Sequence, residues 1–382
     1  MFKAFWFNRR LRSYALQVLL VGAFLSGCIW LFINAQQNLA ARGITAGFQF
    51  FGQPARFPIS ESVIDYTPED SFGHAFKVGL VNTLFIASIV IVAATVLGLG
   101  LALARRSAHP LLKGCASTYI EVARNIPLVV QLLFWYSLVT INLPTAREAL
   151  TPIPQVFLTL RGLFFPKLEL SGEISLLWWA VLASITLVTL AFIVQKRERI
   201  VEGKAPPFIR ISMIVSGGLL LLAWLVGGVS ARWDVPKLEG FNFVGGSALT
   251  PEFLSLMVGL VIYSTAFAGE VIRSGIDSVA KGQWEAGEAL GLSKGKILQL
   301  IVFPQSLRVI IPPMTSQYLS ITKNTTLALA VGYPDIAFVV ATTINQTGQA
   351  VEGILILMTV FLSISLAISI FMNWYNRRIS SI

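Results

Sequence analysis

Charged residues are scarce in this chain of 382 residues. Asp, Glu, Lys and Arg make up 13% of it, whereas 55% of the residues are apolar and the mean hydropathy is +0.73. A soluble globular chain carries about 25% charged residues, so too few charges remain here to cover a water-exposed surface. Disorder is excluded as well, because a chain this apolar does not stay solvated. The composition indicates an integral membrane protein.

Cysteine and histidine are also nearly absent. The chain has two of each, Cys28, Cys115, His74 and His109, which excludes a disulfide scaffold and argues against a metal site. Lys and Arg outnumber Asp and Glu by 29 to 19, but they flank apolar runs, as membrane topology signals do. We therefore expect this basic chain to have a lipid bilayer, and no nucleic acid, as its partner.

Eight runs are long and apolar enough to cross a bilayer, which takes about 20 helical residues. The predicted spans are Tyr14–Ile33, Phe76–Ala104, Ala116–Ile141, Leu176–Val194, Phe208–Val229, Phe253–Ile272, Val309–Val331 and Gly353–Trp374. The segments on the outer side would then run roughly over 34–75, 142–175, 230–252 and 332–352. Their Pro and Gly residues favour loops and short interfacial pieces, with Leu163–Pro166 at the headgroup level.

The distribution of basic residues predicts the orientation. With the N-terminus in the cytoplasm, 19 of the 29 Lys and Arg residues fall on the inner side and 8 on the outer side, while Arg124 and Lys323 fall within spans. An excess of Lys and Arg in short loops marks the cytoplasmic side. We therefore expect a multi-pass protein of a bacterial inner (cytoplasmic) membrane with both termini in the cytoplasm.

The inner loop 282–304, which we call the knob, carries the most specific pattern. Glu285 and Glu288 would lie in the first turns of a short helix, where the positive end of the helix dipole favours them. Gly291 would follow as the C′ residue with a positive φ, and Pro304 would interrupt a second helix. The sequence predicts a compact helix–turn–helix, although an ordinary amphipathic surface helix also contains such a Glu-Ala run.

The knob resembles the EAA loop of binding-protein-dependent ABC importer permeases. That pattern runs Glu-Ala, a small residue, Ala and Gly, followed further on by an apolar-Pro pair. The resemblance implies that the loop is a coupling helix that seats in a groove of a separate ATPase. The coupling residues that it implies are Trp284, Glu285, Ala286, Glu288, Ala289, Gly291 and Pro304.

Other stretches resemble the histidine, glutamine and polar amino-acid branch of these permeases. They are Gly79–Leu84, Tyr119–Leu132, Leu307–Pro313 and Lys323–Leu327. With Ala41–Ile44 and the extra spans, the chain looks most like the general L-amino-acid permease subunits. Related members often carry an acidic residue where this chain has Asn324, which disfavours a cargo confined to cationic amino acids.

The resemblance divides the chain into four parts. They are 1–75, with the cytoplasmic N-tail, an extra first span and a periplasmic segment; 76–141, with the first two core spans; 142–252, with periplasmic loops and an inserted span hairpin; and 253–382, with the last three core spans and the knob. The implied fold class is an all-α integral membrane protein of eight transmembrane helices. It has a type I ABC importer permease core of five helices, an extra N-terminal helix and an inserted helical hairpin.

No nucleotide-binding loop is recognisable in the sequence. Lys294-Gly295-Lys296 looks faintly like the end of a P-loop, but Leu290 stands where the first Gly should be, and Ile297 replaces the Ser or Thr that would hold Mg²⁺. We therefore expect a transporter subunit and no enzyme. The resemblance implies no cofactor in this chain, ATP and Mg on two partner ATPase subunits, a second related permease subunit in a heterodimer, and a periplasmic amino-acid-binding protein.

Three ionisable residues near the inner ends of the spans form one candidate site. Burying a charge in a membrane costs about 3 kcal/mol or more, so Glu121, Arg124 and Glu270 need a reason to be there. Glu121 and Arg124 share a helix face, and Glu270 lies at a matching depth. They are predicted to brace an inner gate as an ion-pair cluster; contact between Arg124 and substrate on exit is the alternative.

Lys323 is the basic residue predicted to lie deepest in a span. It would lie about 22 Å from the inner end of its helix at 1.5 Å per residue, and it precedes three further polar residues. A Lys at this depth needs a partner such as a carboxylate, a carbonyl or the α-carboxylate of a substrate. The predicted substrate path is Lys323, Asn324, Thr325, Thr326, Asn82 and Thr83, against structural pairing or snorkelling of Lys323.

The predicted function is that of a transmembrane permease subunit of an ATP-driven importer that moves polar L-amino acids from periplasm to cytoplasm by alternating access. An ion-gradient-driven secondary amino-acid transporter is the main alternative, but it would want an inverted repeat and broken helices near the midplane. A non-transporting scaffold or receptor subunit would have no need of Lys323. An intramembrane enzyme would need a catalytic or metal-ligand set that the spans lack.

Overall fold

The computed structural model describes residues 9–41, 47–202 and 208–380. The motif residues Arg42, Gly43 and Ile44 lie outside these ranges. Within them, seven helices are long and apolar enough to cross a membrane, and one bent pair of helices makes an eighth if it counts as a single span. The mostly helical architecture agrees with the sequence prediction.

The helices that could span a membrane are α1 (Arg9–Ala41), α2 (Phe72–Arg105), α5 (Ile174–Glu202), α6 (Phe208–Val226), α7 (Pro251–Asp277), α10 (Phe303–Asn324) and α12 (Ala350–Ser380). The bent pair is α3 (Pro110–Asn125) and α4 (Leu128–Ser137), and the short helices are α8 (Lys281–Ala289), α9 (Lys294–Ile297) and α11 (Ile336–Thr347). The most apolar stretches of α1 and α12 bury no side chain within the described part of the chain. Such apolar outer surfaces suit contact with lipid.

The predicted span over 116–141 is present as a bent pair of helices. The chain forms two helices there, α3 and α4, which meet at an angle of 101°. Ile126 between them is extended, with φ −87° and ψ 125°. Pro127 causes the break, because proline disfavours a helical conformation in the residue before it and has no N–H to continue the helix.

Close approach of α2 and α7 forms the centre of the first compact unit, which comprises the described residues up to Ser137 and from Glu252 onward. Gly98 on α2 faces Ala268 and Gly269 on α7, and a Cβ at Gly98 would come within 2.8 Å of the Ala268 Cβ. Only glycine permits the two backbones to come this close. Small residues at such crossings let membrane helices pack without a hydrophobic driving force from water.

The second compact unit, residues 138–251, contains the α5–α6 hairpin and eight short strands. The strands are β1 (Leu150–Ile153), β2 (Val156–Thr159), β3 (Gly162–Phe165), β4 (Lys167–Ser171), β5 (Ser230–Asp234), β6 (Lys237–Glu239), β7 (Asn242–Val244) and β8 (Ser247–Leu249). They form a four-stranded antiparallel sheet in the order β1-β2-β3-β8 and two separate pairs, β4-β5 and β6-β7.

These strands correct the expectation of loops and interfacial pieces over 142–175 and 230–252. The segment Leu163–Pro166, expected at the headgroup level, belongs mostly to β3. Phe164 there is only 6% exposed and packs on Phe243, with ring centroids 5.1 Å apart. The alternation of buried and half-buried side chains along β3 is typical of a strand with one covered face.

The segments predicted as 34–75 and 332–352 also contain structure. A 3₁₀ turn at Phe48–Gly52 places Phe50 in a buried cluster with Phe72 and Phe76, at the start of α2, and with Ile336 and Val339 of α11. The aromatic rings of Phe50 and Phe72 meet edge to face, 5.7 Å apart. This cluster covers one end of α2 with apolar side chains.

Candidate functional site

The chain reverses direction within the knob at Gly291. Its φ is +72°, and its N–H donates to the Glu288 carbonyl over 2.9 Å, while the N–H of Leu292 donates to the Gly287 carbonyl over 3.1 Å. These two bonds form a Schellman motif, which satisfies the last carbonyls of α8 and reverses the chain. The predicted positive φ at the end of this helix is confirmed.

The two helices of the knob touch directly. A Cβ at Gly287 would lie 2.7 Å from Cγ1 of Ile297, which is fully buried. Ile297 belongs to an apolar cluster with Ile276, Val302 and Ile310 of the flanking helices, against which Trp284 packs. The knob is therefore anchored by its apolar side to the ends of α7 and α10.

Pro304 lies at the start of α10, and the turn before it is a π-helix over Leu298–Val302. A proline has no N–H to donate, so the hydrogen-bond register changes where it enters the helix. The predicted interruption is thus a change of register, and the chain remains helical on both sides of Pro304.

The opposite side of the knob faces outward. Glu285, Ala286, Glu288 and Ala289 are exposed, and Leu290 at the tip is 76% exposed. Small and acidic residues surround one large apolar side chain on this surface. A surface of this kind can seat in a groove of another protein.

Five charged side chains, which we call the charge cluster, lie beside the knob. Arg105 at the end of α2 pairs with Glu270 on α7, and the following Arg106 pairs with Asp277, the last residue of α7. Arg273 lies between these carboxylates and pairs with both, at 2.7 Å from Glu270. Two ion pairs therefore join the ends of α2 and α7, and two more, within α7, link Arg273 to the same carboxylates.

The predicted gate residues Glu121, Arg124 and Glu270 do not share partners in the part of the chain that the structure describes. Glu270 belongs to the charge cluster, whereas Glu121 and Arg124 are exposed on α3. The guanidinium of Arg124 lies 5.1 Å above the ring of Phe267 on α7. Within the described residues neither Glu121 nor Arg124 makes an ion pair with Glu270 or with the other. Of the three residues, Glu270 lies on α7 and Arg124 contacts α7 through Phe267.

The comparisons with known proteins agree with this architecture. The family described as binding-protein-dependent transport system inner membrane component matches residues 94–381. The chain belongs to this family. Its members are components of transporters and are not enzymes, and the alternative of a secondary transporter finds no support in the match.

Several relatives of this inner membrane component match over nearly the full length. A protein of Escherichia coli named as an amino-acid ABC transporter permease, YhdX, is 45% identical over 98% of this chain and 95% of its own length. The general L-amino acid transport system permease protein AapQ of Rhizobium johnstonii is 38% identical over 99% and 95%. The glutamate/glutamine/aspartate/asparagine transport system permease protein BztB of Rhodobacter capsulatus is 30% identical over 98% and 95%.

In this transport component, Asn82 and Thr83 are fully buried on α2. The Asn82 amide donates to the backbone carbonyls of Glu61 and Pro334 over 2.9 Å each, and the Thr83 hydroxyl accepts from the N–H of Ile336 over 3.0 Å. Both side chains bind the backbone of segments that cross over the end of α2. The structure does not bring either of them to Lys323.

Lys323 lies at the end of α10 and is exposed. Its ammonium forms no ion pair within the described part of the chain. The helix tightens into a 3₁₀ helix directly afterwards, where the hydroxyls of Thr325 and Thr326 donate to the carbonyls of Thr322 and Lys323 over 2.8 Å. Lys323 and Asn324 therefore stand where one helix type ends and another begins.

Asp335 is a buried residue that the sequence reasoning missed. It caps α11 by accepting the N–H of Phe338 over 2.8 Å, while its other carboxylate oxygen has no hydrogen-bond partner within the described residues. Burial raises the pKa of Asp335 to about 7, and burial also raises the pKa of the neighbouring Tyr333. An Asp before an apolar helical run is an N-cap signal that could have found it.

Proposed function

We propose that this chain is the transmembrane permease subunit of an ATP-driven importer that moves polar L-amino acids from the periplasm to the cytoplasm by alternating access. The observation that carries the proposal is the nearly full-length similarity to relatives named as amino-acid permeases, at 45% and 38% identity. The matched length includes the extra first span and the inserted hairpin of this chain. The range of cargo in their names favours a broad polar specificity.

The partners follow from the same family. We propose two ATPase subunits, which bind ATP and Mg, a periplasmic amino-acid-binding protein and a second related permease subunit in a heterodimer. Two glutamine ABC transporter permease proteins of Bacillus subtilis, GlnM and GlnP, both resemble this chain over part of its length, which supports pairing of related permeases. The bilayer would be a bacterial inner membrane, with both termini in the cytoplasm, as the basic residues favour.

The knob is the proposed contact with the ATPase. Its residues Trp284, Glu285, Ala286, Glu288, Ala289, Gly291 and Pro304 either form the exposed surface or hold the turn and register that present it. The Schellman turn and the buried Ile297 make the knob a firm body that is anchored to α7 and α10. A push on such a body is transmitted to both helices, because packed interiors deform little.

The proposed substrate path runs past Lys323, Asn324, Thr325 and Thr326. The exposed ammonium of Lys323 suits attraction of an α-carboxylate, and a second permease subunit would enclose it. Asn82 and Thr83 would support the path indirectly, because their hydrogen bonds hold the backbone at the start of α11.

The proposed inner gate consists of Glu121, Arg124 and Glu270. Arg124 reaches α7 through Phe267, and Glu270 joins α7 to α2. The Glu270 side chain is only partly exposed, and its pairing with Arg105 depends on the distance between α2 and α7. Such a contact can open and close with the tilt of the spans.

Copurification from native membrane tests the proposal most simply. A tagged chain should bring down a second permease, an ATPase and, with amino acid present, a binding protein. The recovered complex should hydrolyse ATP faster when the binding protein is loaded with glutamine or glutamate. Recovery of the chain alone, with amino-acid uptake that collapses on addition of an ionophore, would contradict it.

A further inference from the structure

Arg106 of the charge cluster contacts the knob. Its guanidinium pairs with Asp277 of α7 on one side and lies 5.3 Å above the ring of Trp284 of α8 on the other. A guanidinium over an indole face is the most favourable form of cation–π contact. Arg106 therefore touches three elements, since it also continues the chain from α2.

Its neighbour Arg105 makes a useful contrast. Arg105 pairs with Glu270 and thus joins α2 to α7, but no contact with α8 is found for it in the described part of the chain. Glu270, Arg273 and Asp277 follow at intervals of three and four residues, so they share one face of α7. This face and the two arginines fix α2 against α7 just beyond the glycine contact of Gly98.

The knob, in contrast, is joined to α7 by only three residues, 278–280. Its apolar side holds it in place through Ile297 and its neighbours, but apolar contacts are not directional. The stacking of Trp284 on Arg106 adds direction, because it depends on where the plane of the ring lies. Arg106 can thus set the angle of the knob relative to α2 and α7.

The setting of Arg106 strengthens this contact. Its side chain is 27% exposed and that of Asp277 is 39% exposed. Burial lowers the pKa of Arg106, and the nearby charge of Arg273 lowers it further, yet an arginine remains charged at every physiological pH. A charge that is partly removed from water interacts more strongly with a ring and a carboxylate than a solvated one.

We propose that Arg106 is a positioning residue that carries movement of the knob to α2 and α7, so that it determines how much amino acid is moved per ATP hydrolysed. The proposal rests on the proposed function of the knob. Its readout is a ratio of two rates, which a purely structural role of Arg106 would leave unchanged.

The experiment uses the complete complex in proteoliposomes, with ATP hydrolysis and uptake of labelled glutamine measured on one preparation. Arg106→Gln should lower the amino acid moved per ATP roughly threefold to tenfold, the range that a partly desolvated cation–π contact can supply. Trp284→Leu keeps the apolar packing and removes the ring, so it should lower the same ratio. The double variant should lose no more than Arg106→Gln alone, because Arg106→Gln already removes the contact with Trp284.

Arg308→Gln is the matched control. Arg308 is exposed on α10 beyond the knob, and no partner is recorded for it among the described residues; its ratio should equal that of the wild type. An unchanged ratio in Arg106→Gln, or losses that add in the double variant, would overturn the proposal. If the wild-type complex itself moves no amino acid with ATP, the proposed function fails, and that result is distinct from a change in the ratio.

Discussion

The two ends of α2 are held by opposite means. In the half of α2 that begins at Phe72, buried uncharged groups provide the contacts. Asn82 and Thr83 bind backbone atoms, and an aromatic cluster packs around Phe72 and Phe76. At the Arg106 end, half-exposed charges pair with one another. Buried hydrogen bonds that must stay satisfied fix one geometry, whereas half-exposed ion pairs can exchange partners at little cost. The difference suits a helix that is anchored at one end and moved at the other.

The largest effect is expected from a substitution in the knob, which lies beside the Arg106 end of α2. Gly291→Val places a β-branched residue at φ +72°, which costs about 1–2 kcal/mol and opens the Schellman turn. Uptake and substrate-stimulated ATP hydrolysis should both fall to near background, with the chain still inserted. Gly295→Val is the control, because Gly295 has ordinary helical φ and open space around it. Normal uptake by Gly291→Val in proteoliposomes would show that the knob does not couple.

The next largest effect is expected from a substitution of Lys323, at the end of α10. Lys323→Met keeps most of the length and removes the charge, so loss of an ionic contact with substrate should raise the transport KM roughly tenfold to a hundredfold, equivalent to about 1.5–3 kcal/mol. Basal ATP hydrolysis should survive, because the knob is untouched. KM and Tm are measured on one purified preparation. An unchanged KM with a lowered Tm would leave Lys323 as a structural residue only.

A substitution of Asn82 tests the end of α2 that is held by buried hydrogen bonds. Asn82→Leu leaves the N–H of Val63 and the carbonyls of Glu61 and Pro334 without their partner, which should cost about 3 kcal/mol of stability. The Tm should drop while the amino acid moved per ATP stays constant. Asn38→Leu, at an exposed position whose side chain bonds only Asn34 within α1, should leave Tm unchanged. A changed ratio would mean that this end also moves.

Asp335 gives the smallest effect, a dependence on pH. Because its folded pKa is raised from 3.8 to about 7, the stability that it supports is present below about pH 4 and is lost as the pH rises through 7. The wild-type Tm should therefore fall between pH 5 and pH 8. Asp335→Asn keeps the cap on Phe338 and should flatten that fall. Equal slopes in the two proteins would show that Asp335 is not the group that titrates.

Sequence reasoning succeeded where one residue constrains the local backbone. Gly291 predicts a turn with positive φ, and long apolar runs predict spans, because both signals are local. It did not predict the bend of 101° at Pro127 within the span over 116–141. It also missed the strands of 150–171, since strands of four or five residues with Pro and Gly nearby resemble loops.

Contacts between distant parts of the chain could not be predicted. Glu270 was expected to act with Arg124, but it pairs with Arg105, which lies 165 residues away in the sequence. The choice depends on the crossing of α2 and α7 at Gly98 and Gly269, which no local pattern reveals. The burial of Asn82 and Asp335 likewise follows from α11 packing on α2.

The most direct test of the central claim is the energy source of uptake in proteoliposomes that contain the purified complex and a loaded binding protein. Labelled glutamine should accumulate only when ATP is enclosed with the ATPase subunits, and an ionophore that collapses ion gradients should leave its rate unchanged. Gly291→Val in the same vesicles should abolish accumulation. Accumulation without ATP that the ionophore abolishes would contradict the account.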